Sequence, residues 1–216
     1  MSLGRLFSKV FEAWFGMCFV LSLLLLYPIF YWALSNSSRF PIAFRLMRFW
    51  ALSLQLSGGI RMEIEHEGQL PDGPFVIAPN HSSYIDIPLM YRVFKDYFVF
   101  MGKQELSSWP MFRIFFTKNM NISEDTPKLM RFKHGAFKLG IEMQIPIVPV
   151  TFLTNHRLNS MGLMQGRSGP GTSRVIVHEP ISTIGLTEDD LPALRDKVFG
   201  IINSTLRAEG QLPPKA

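Results

Sequence analysis

The first part of the chain is dominated by one long apolar run. No charged side chain occurs between Glu12 and Arg39, so the 26 residues 13–38 are uncharged. A helix rises about 1.5 Å per residue, so a run of this length can cross a hydrocarbon core roughly 30 Å thick. The pattern predicts a membrane-embedded helix, which Pro28 should kink. A secretory signal peptide and a buried core helix are the alternatives.

A second apolar stretch, Phe40 to Leu56, carries Arg45 and Arg48 among aromatic and aliphatic residues. Such a mixture is typical of a helix in the lipid headgroup layer, and it also fits a helix that packs on a domain. Basic residues flank the apolar run on both sides, so the positive-inside rule does not orient it. We expect residues 1–58 to form a hairpin or re-entrant membrane anchor with both ends in the cytoplasm.

From residue 59 to residue 216 short strand-like runs alternate with helical stretches, which predicts one α/β domain. The predicted strands are Arg61–His66, Pro74–Ala78, Tyr97–Met101, Ile145–Phe152 and Arg174–His178. The predicted helices are Trp109–Thr117, Lys128–Met143 and Glu188–Arg207. Thr187 is placed to cap the last of these helices, with Asp190 three residues further on.

Composition and charge narrow the class of partner. The net charge of +5 favours an anionic partner, and 47% hydrophobic with only 18% charged residues favours a lipid over a nucleic acid. A single cysteine, Cys18, excludes a disulfide framework and a cysteine-based metal cluster. The five histidines lack the spacing of a metal site, so we expect neither a metal nor a bound cofactor.

The segment from Ala78 to Pro88 carries the candidate chemistry. On a continuous helix His81 and Asp86 would diverge by about 140°. They can meet if His81 lies in a loop and Asp86 opens the next helix, whose first turn tolerates Pro88. Asp86 would then fix the tautomer of His81, and His81 Nε2 would take a proton from a substrate hydroxyl. The alternative is a capping box of Ser83 and Asp86 beside an ordinary loop histidine.

The neighbours of these two residues resemble a known family. Asn80-His81 followed by Asp86 after a strand is similar to the Asn-His-x-x-x-x-Asp signature of the glycerolipid acyltransferases, the 1-acylglycerol-3-phosphate acyltransferase family. The resemblance extends from about Arg61 to the C-terminus. Further segments resemble the family's later blocks in the same order: Gly102–Leu106 with Pro110, Phe132–Phe137 and Ile145–Val150.

This resemblance implies a mixed sheet flanked by helices and a membrane enzyme whose catalytic domain faces the cytoplasm. The implied reaction moves a fatty acyl group from acyl-CoA or acyl carrier protein to the free hydroxyl of lysophosphatidic acid, giving phosphatidic acid. His81 would be the base and Asp86 its orienting partner. Lys103, Arg131 and Lys133 are candidate contacts to the acceptor phosphate, with a solvated basic surface as the alternative.

One block of the family pattern is absent. The family's third block contains Phe-Pro-Glu-Gly-Thr, whereas here Asn119–Ile122 runs directly into Ser123–Arg131. The sequence reads as though several tens of residues, a strand–helix–strand unit, had been removed at Ile122–Ser123. Two other functions therefore stay open. One is an acyltransferase for another lysolipid such as a lyso-aminolipid, and the other is a catalytically impaired, membrane-associated lipid-binding homologue.

Overall fold

The computed structural model describes residues 3–96, 98, 134–158 and 168–212. Its helices are α1 (Leu3–Leu34), α2 (Phe40–Ser57), α3 (Asp86–Val93), α4 (His134–Glu142), α5 (Asn155–Leu158) and α6 (Leu191–Ala208). Its strands are β1 (Ile60–His66), β2 (Val76–Pro79), β3 (Ile147–Phe152) and β4 (Gly171–Val177). Short 3₁₀ turns occupy Ser37–Arg39 and Glu188–Asp190.

The four strands form one mixed sheet in the order β1–β4–β3–β2. β1 runs parallel to β4 and β2 runs parallel to β3, whereas β3 and β4 are antiparallel. Every residue of β3 is buried, as expected for a central strand covered on both faces. The expected α/β class, a mixed sheet flanked by helices, is confirmed.

Four of the five predicted strands occur where the sequence places them, with ends that differ by up to three residues. The fifth, Tyr97–Met101, lies outside the described residues except for Phe98, and the predicted helix Trp109–Thr117 lies wholly outside them. The last helix begins as predicted. The carboxylate of Asp190 accepts hydrogen bonds from the backbone N–H and the hydroxyl of Thr187, at 2.8 and 2.9 Å.

Helices α1 and α2 pack against each other as an antiparallel hairpin. The indole N–H of Trp50 donates to the hydroxyl of Ser22 at 2.8 Å, and that of Trp14 donates to the carbonyl of Ser57 at 3.1 Å. The Trp50 ring also lies against Phe19, with ring centroids 5.2 Å apart. The helix α1 continues past Pro28. The expected hairpin is therefore present, although the division at residues 58 and 59 stays a prediction.

The outward face of α1 is apolar. Its most hydrophobic 18-residue window has a mean hydropathy of 2.1, and only 17% of that window is buried. The helix is thus long and apolar enough to cross a membrane, which is compatible with membrane association. Large exposed side chains on it include Leu21, Leu24, Leu25, Tyr31 and Trp32.

The helices cover the two faces of the sheet with separate apolar clusters. On one face, Ile85 and Leu89 of the α3 region join Leu54 of α2 and Phe15 of α1 against β3. On the other face, α4 and α6 contribute Phe137, Val198 and Ile202. The α1–α2 hairpin is consequently part of the core beneath β3, so α2 packs on the domain as the second interpretation of its sequence expected.

Candidate active site

The candidate site lies at one edge of the sheet, where two parallel strands end. β2 ends at Pro79 and leads into the loop that carries His81, and β3 ends at Phe152 just before α5. Because β2 and β3 are parallel neighbours, the residues that follow them meet at the same edge. This placement brings the loop after β2 beside α5.

His81 and Asp86 face each other as the sequence predicts. α3 begins at Asp86, and His81 lies in the preceding loop. The distance from His81 Nδ1 to Asp86 Oδ2 is 3.6 Å, with the histidine side chain 25% exposed and the carboxylate fully buried. The arrangement leaves the imidazole accessible and places its charged partner out of solvent.

The carboxylate of Asp86 also organises the loop around it. Its Oδ2 accepts the backbone N–H groups of Ser82 at 2.8 Å and Ser83 at 3.0 Å. The capping interpretation is therefore correct in part, because Asp86 binds backbone amides and faces His81 at the same time. Two donors on one oxygen fix the position of that oxygen relative to the loop.

Asp86 has a further partner that sequence analysis missed. The amide Nδ2 of Asn155, at the start of α5, donates to Asp86 Oδ1 at 2.7 Å, and Asn155 is fully buried. A second amide, that of Asn80, bonds both backbone groups of Phe152, donating to the carbonyl at 3.0 Å and accepting from the N–H at 2.7 Å. The signal for Asn155 was in the sequence, since Thr154-Asn155-His156 follows the end of a predicted strand.

His156 adds a second imidazole near the carboxylate. Burial lowers the pKa of His156 below its usual value, and the positive charge of Arg157 lowers it further. The negative charge of Asp86 acts in the opposite direction but does not prevail. His156 is therefore neutral at neutral pH, so His81 faces Asp86 without a competing cation from this side chain.

Another histidine–carboxylate pair lies elsewhere on the sheet. His178, at the end of β4, has its Nδ1 2.8 Å from Glu67 Oε2 and its Nε2 2.7 Å from Thr151 Oγ1. A carboxylate can only accept, so Nδ1 carries the proton and Nε2 accepts from the threonine hydroxyl. His178 is 2% exposed and Thr151 is fully buried, so no substrate reaches this pair.

The three candidate phosphate contacts, Lys103, Arg131 and Lys133, lie outside the described residues. Among the residues that the structure describes, no group of three or more histidine, cysteine, aspartate or glutamate side chains is placed to hold a metal ion. The roles of His81 and Asp86 stay predictions that their geometry supports.

Comparison with known proteins agrees with the resemblance. A family model described as Acyltransferase matches residues 61–126. The chain is 28% identical to the mouse 1-acyl-sn-glycerol-3-phosphate acyltransferase alpha, in an alignment that includes 71% of this chain and 66% of the mouse protein. It is 24% identical to the 1-acyl-sn-glycerol-3-phosphate acyltransferase of Saccharomyces cerevisiae, with 74% and 64% included. The chain thus spans just under two thirds of the length of these relatives.

The lengths of these alignments bear on the absent block. The mouse alignment extends over 190 positions but includes 71% of 216 residues, which is about 153, so about 37 positions hold no residue of this chain. The yeast alignment extends over 197 positions and includes 74%, about 160 residues, which again leaves about 37. This difference has the size of the segment that the sequence lacks at Ile122–Ser123.

The fold has a solved counterpart. The crystal structure of the 1-acyl-sn-glycerophosphate (LPA) acyltransferase PlsC from Thermotoga maritima matches with a TM-score of 0.74 at 15% identity, covering 99% of this chain and 100% of that chain. The class to which the fold and the alignments point is the acyltransferases. Within that class, the resemblance to the 1-acylglycerol-3-phosphate acyltransferases is confirmed.

Proposed function

We propose that this chain is an O-acyltransferase that moves a fatty acyl group from acyl-CoA or acyl carrier protein to the free hydroxyl of lysophosphatidic acid. The product would be phosphatidic acid and the released thiol. The observation that carries the proposal is the pairing of a partly exposed His81 with a buried Asp86 at 3.6 Å. The similarity to 1-acyl-sn-glycerol-3-phosphate acyltransferases selects the substrate class.

In the proposed reaction His81 acts as a general base and then as a general acid. Its Nε2 takes the proton of the acceptor hydroxyl while the hydroxyl oxygen attacks the thioester carbonyl carbon. The tetrahedral intermediate then collapses with cleavage of the carbon–sulfur bond, and the leaving thiolate takes the proton back from His81. No protein nucleophile and no cofactor enters the balance.

Asp86 assists this cycle through charge and tautomer control. Its carboxylate holds the proton of His81 on Nδ1, which leaves the lone pair of Nε2 free for the substrate. It also stabilises the imidazolium that forms when Nε2 is protonated. Burial strengthens this attraction, because Asp86 is fully shielded from solvent.

The acceptor would be held by its phosphate, with Lys103, Arg131 and Lys133 as the proposed contacts. Orientation of the hydroxyl toward the thioester supplies much of the barrier reduction in such a transfer. Because the third block of the family pattern is absent, we expect weak saturation by lysophosphatidic acid and thioester hydrolysis in excess of transfer. A lyso-aminolipid acceptor would leave the three basic residues without a phosphate partner.

The proposed location is the membrane surface, with the catalytic edge of the sheet on the cytoplasmic side. The apolar outward face of α1 supports this location, because 83% of its most hydrophobic window is left unburied by the protein. A fatty acyl donor and a lysolipid acceptor both partition to that interface. The proposed partners are therefore membrane lipid, lysophospholipid and a soluble acyl thioester.

The proposal is tested by assaying the full chain in detergent or proteoliposomes with acyl-CoA and either lysophosphatidic acid or a lyso-aminolipid. Thiol release and acylated product are measured together. We expect His81→Ala to lower both by about 10²–10⁴-fold, the usual contribution of a general base. The matched control is His66→Ala, an exposed histidine on β1, which should keep the rates of the unaltered protein.

Three outcomes separate the possibilities. Thiol release and phosphatidic acid formation that both depend on His81 support the proposal. Acylation of the aminolipid alone changes the acceptor. Saturable lysolipid binding with neither product nor thiol release identifies a binding homologue, and near-normal turnover by His81→Ala removes the proposed mechanism.

A further inference from the structure

The amide of Asn155 is the one described contact to the Asp86 carboxylate that comes from outside the segment between β2 and α3. It reaches Asp86 Oδ1 from the start of α5, at 2.7 Å. The other described donors, the backbone N–H groups of Ser82 and Ser83, both bind Oδ2. Asn155 therefore controls the oxygen that the loop leaves free.

That second oxygen decides the orientation of the carboxylate. The terminal torsion of an aspartate side chain has a broad energy profile, so donors on one oxygen alone permit rotation of the group. A donor on the opposite oxygen blocks this rotation. Among the described contacts Asn155 is thus what keeps Oδ2 turned toward His81 Nδ1, which lies 3.6 Å away.

The orientation of the Asn155 amide follows from its partner. An ionised carboxylate only accepts hydrogen bonds, so the NH₂ group must face Asp86. The amide oxygen, Asn155 Oδ1, is buried and has no hydrogen-bond partner among the described residues. An unpaired buried oxygen costs stability, and groups retained at such a cost are characteristic of functional sites.

The turn that carries Asn155 is itself fixed to the catalytic loop. Asn80, which precedes His81, bonds both the carbonyl and the N–H of Phe152. Three residues later Asn155 bonds Asp86. Two side-chain amides therefore connect the segment after β2 to the segment after β3, one at each end of the loop that holds His81.

We propose that Asn155 is a positioning residue for acyl transfer, which holds the Asp86 carboxylate in the orientation that supports His81. This inference rests on the proposed roles of His81 and Asp86. It goes beyond them because it assigns to α5 a function in the reaction and predicts that one uncharged amide controls the behaviour of the pair.

The titratable and charged groups around the pair define the conditions of the test. Among the described residues, His81 on the loop and His156 on α5 face Asp86, and Arg157 acts on His156. The variants of choice are Asn155→Leu, which removes the donor at similar volume, and Asn155→Asp, which keeps the shape and adds a carboxylate. The matched control is Thr183→Val, because Thr183 is fully buried and bonds only the carbonyls of Gly140 and Ile145.

For Asn155→Leu we expect kcat to fall about 10- to 100-fold with little change in KM, the loss typical of a hydrogen bond to a charged group. For Asn155→Asp we expect the acid limb of the pH–activity profile to move to higher pH, because a second carboxylate favours protonated His81. Thr183→Val should lower the melting temperature and leave kcat and the pH profile unchanged. A purely structural role for Asn155 would give the Thr183→Val pattern instead.

A second readout does not depend on turnover. The ¹H NMR titration of His81 in detergent micelles, assigned with His81→Ala, should show its midpoint at higher pH in Asn155→Asp than in the unaltered protein. If the unaltered protein makes no product, the proposed function fails, and this titration still decides the role of Asn155. An unchanged His81 midpoint in folded Asn155→Asp would overturn the proposal, as would a kcat for Asn155→Leu within about twofold of normal, a difference near 0.4 kcal/mol.

Discussion

The chain contains two histidine–carboxylate pairs that are opposites in exposure. In the His81–Asp86 pair the histidine is 25% exposed and the carboxylate is fully buried, at 3.6 Å. In the His178–Glu67 pair the histidine is 2% exposed and the carboxylate 44% exposed, at 2.8 Å. The second pair also contacts a hydroxyl, Thr151 Oγ1, so its hydrogen bonds are the more complete of the two.

The difference shows that complete hydrogen bonding does not by itself indicate a reactive site. A general base needs a ring nitrogen that a substrate can approach, and a partner whose charge is not screened by water. His81 and Asp86 meet both conditions, whereas His178 is enclosed and its carboxylate is solvated. We therefore assign chemistry to the looser pair and a structural role to the tighter one.

The largest expected effect comes from removing the carboxylate charge of each pair in turn. Asp86→Asn should lower kcat by about 10²–10⁴-fold, because tautomer control and imidazolium stabilisation are lost. Glu67→Gln should leave kcat unchanged and cost less than about 1 kcal/mol of stability, as for other solvent-exposed pairs. The measurements are steady-state thiol release and thermal unfolding of both variants.

Asp86→Asn should still fold, for a reason that the structure supplies. The new amide oxygen can keep the backbone N–H groups of Ser82 and Ser83, while its NH₂ group faces Asn155. A half-turn of the Asn155 amide then presents its unpaired oxygen to that NH₂ group. A melting temperature near that of the unaltered protein with severely reduced turnover would agree with this account, and equal activity in both variants would contradict the assignment.

The sequence predicted the first of these pairs because its parts are local. His81 and Asp86 lie five residues apart, and the strand before them, the turn between them and the proline after them are all visible as patterns. The expectation that Asp86 opens a helix is confirmed at α3. The same holds for the capping box of Thr187 and Asp190, whose partners are three residues apart.

The remaining partners could not be read in the same way because they are distant in sequence. Asn155 lies 69 residues from Asp86, and the Glu67–His178 contact joins residues 111 apart. These contacts depend on the strand order, in which β2 neighbours β3 and β4 lies between β1 and β3. Period and spacing predict that the strands exist, whereas their order follows from how the helices cover the two faces.

A smaller effect separates the pairs through stability. His178→Leu leaves the buried hydroxyl of Thr151 without the ring nitrogen that it bonds, which should cost about 1–3 kcal/mol. At temperatures where the variant is folded, its kcat should equal that of the unaltered protein, because His178 is away from His81 and Asp86. Urea titration and thiol release measure the two quantities. A loss of turnover without a loss of stability would give the buried pair a part in the reaction.

The smallest expected effect concerns His156, which shares the charge of Asp86 with His81. Burial holds the pKa of His156 below the usual value of 6.5, so in the unfolded chain it takes up a proton at a higher pH than in the folded protein. Its contribution to stability is therefore fully present above about pH 6.5 and is lost as the pH falls toward the folded pKa. His156→Gln should make the decline of stability between pH 7.5 and pH 5 shallower, and His66→Gln, on the exposed edge of β1, should leave the slope unchanged. Chemical denaturation at a series of pH values measures both slopes. An equal decline in His156→Gln and the unaltered protein would mean that His156 is protonated in the folded state at the same pH as in the unfolded chain, so that His81 shares Asp86 with a second cation.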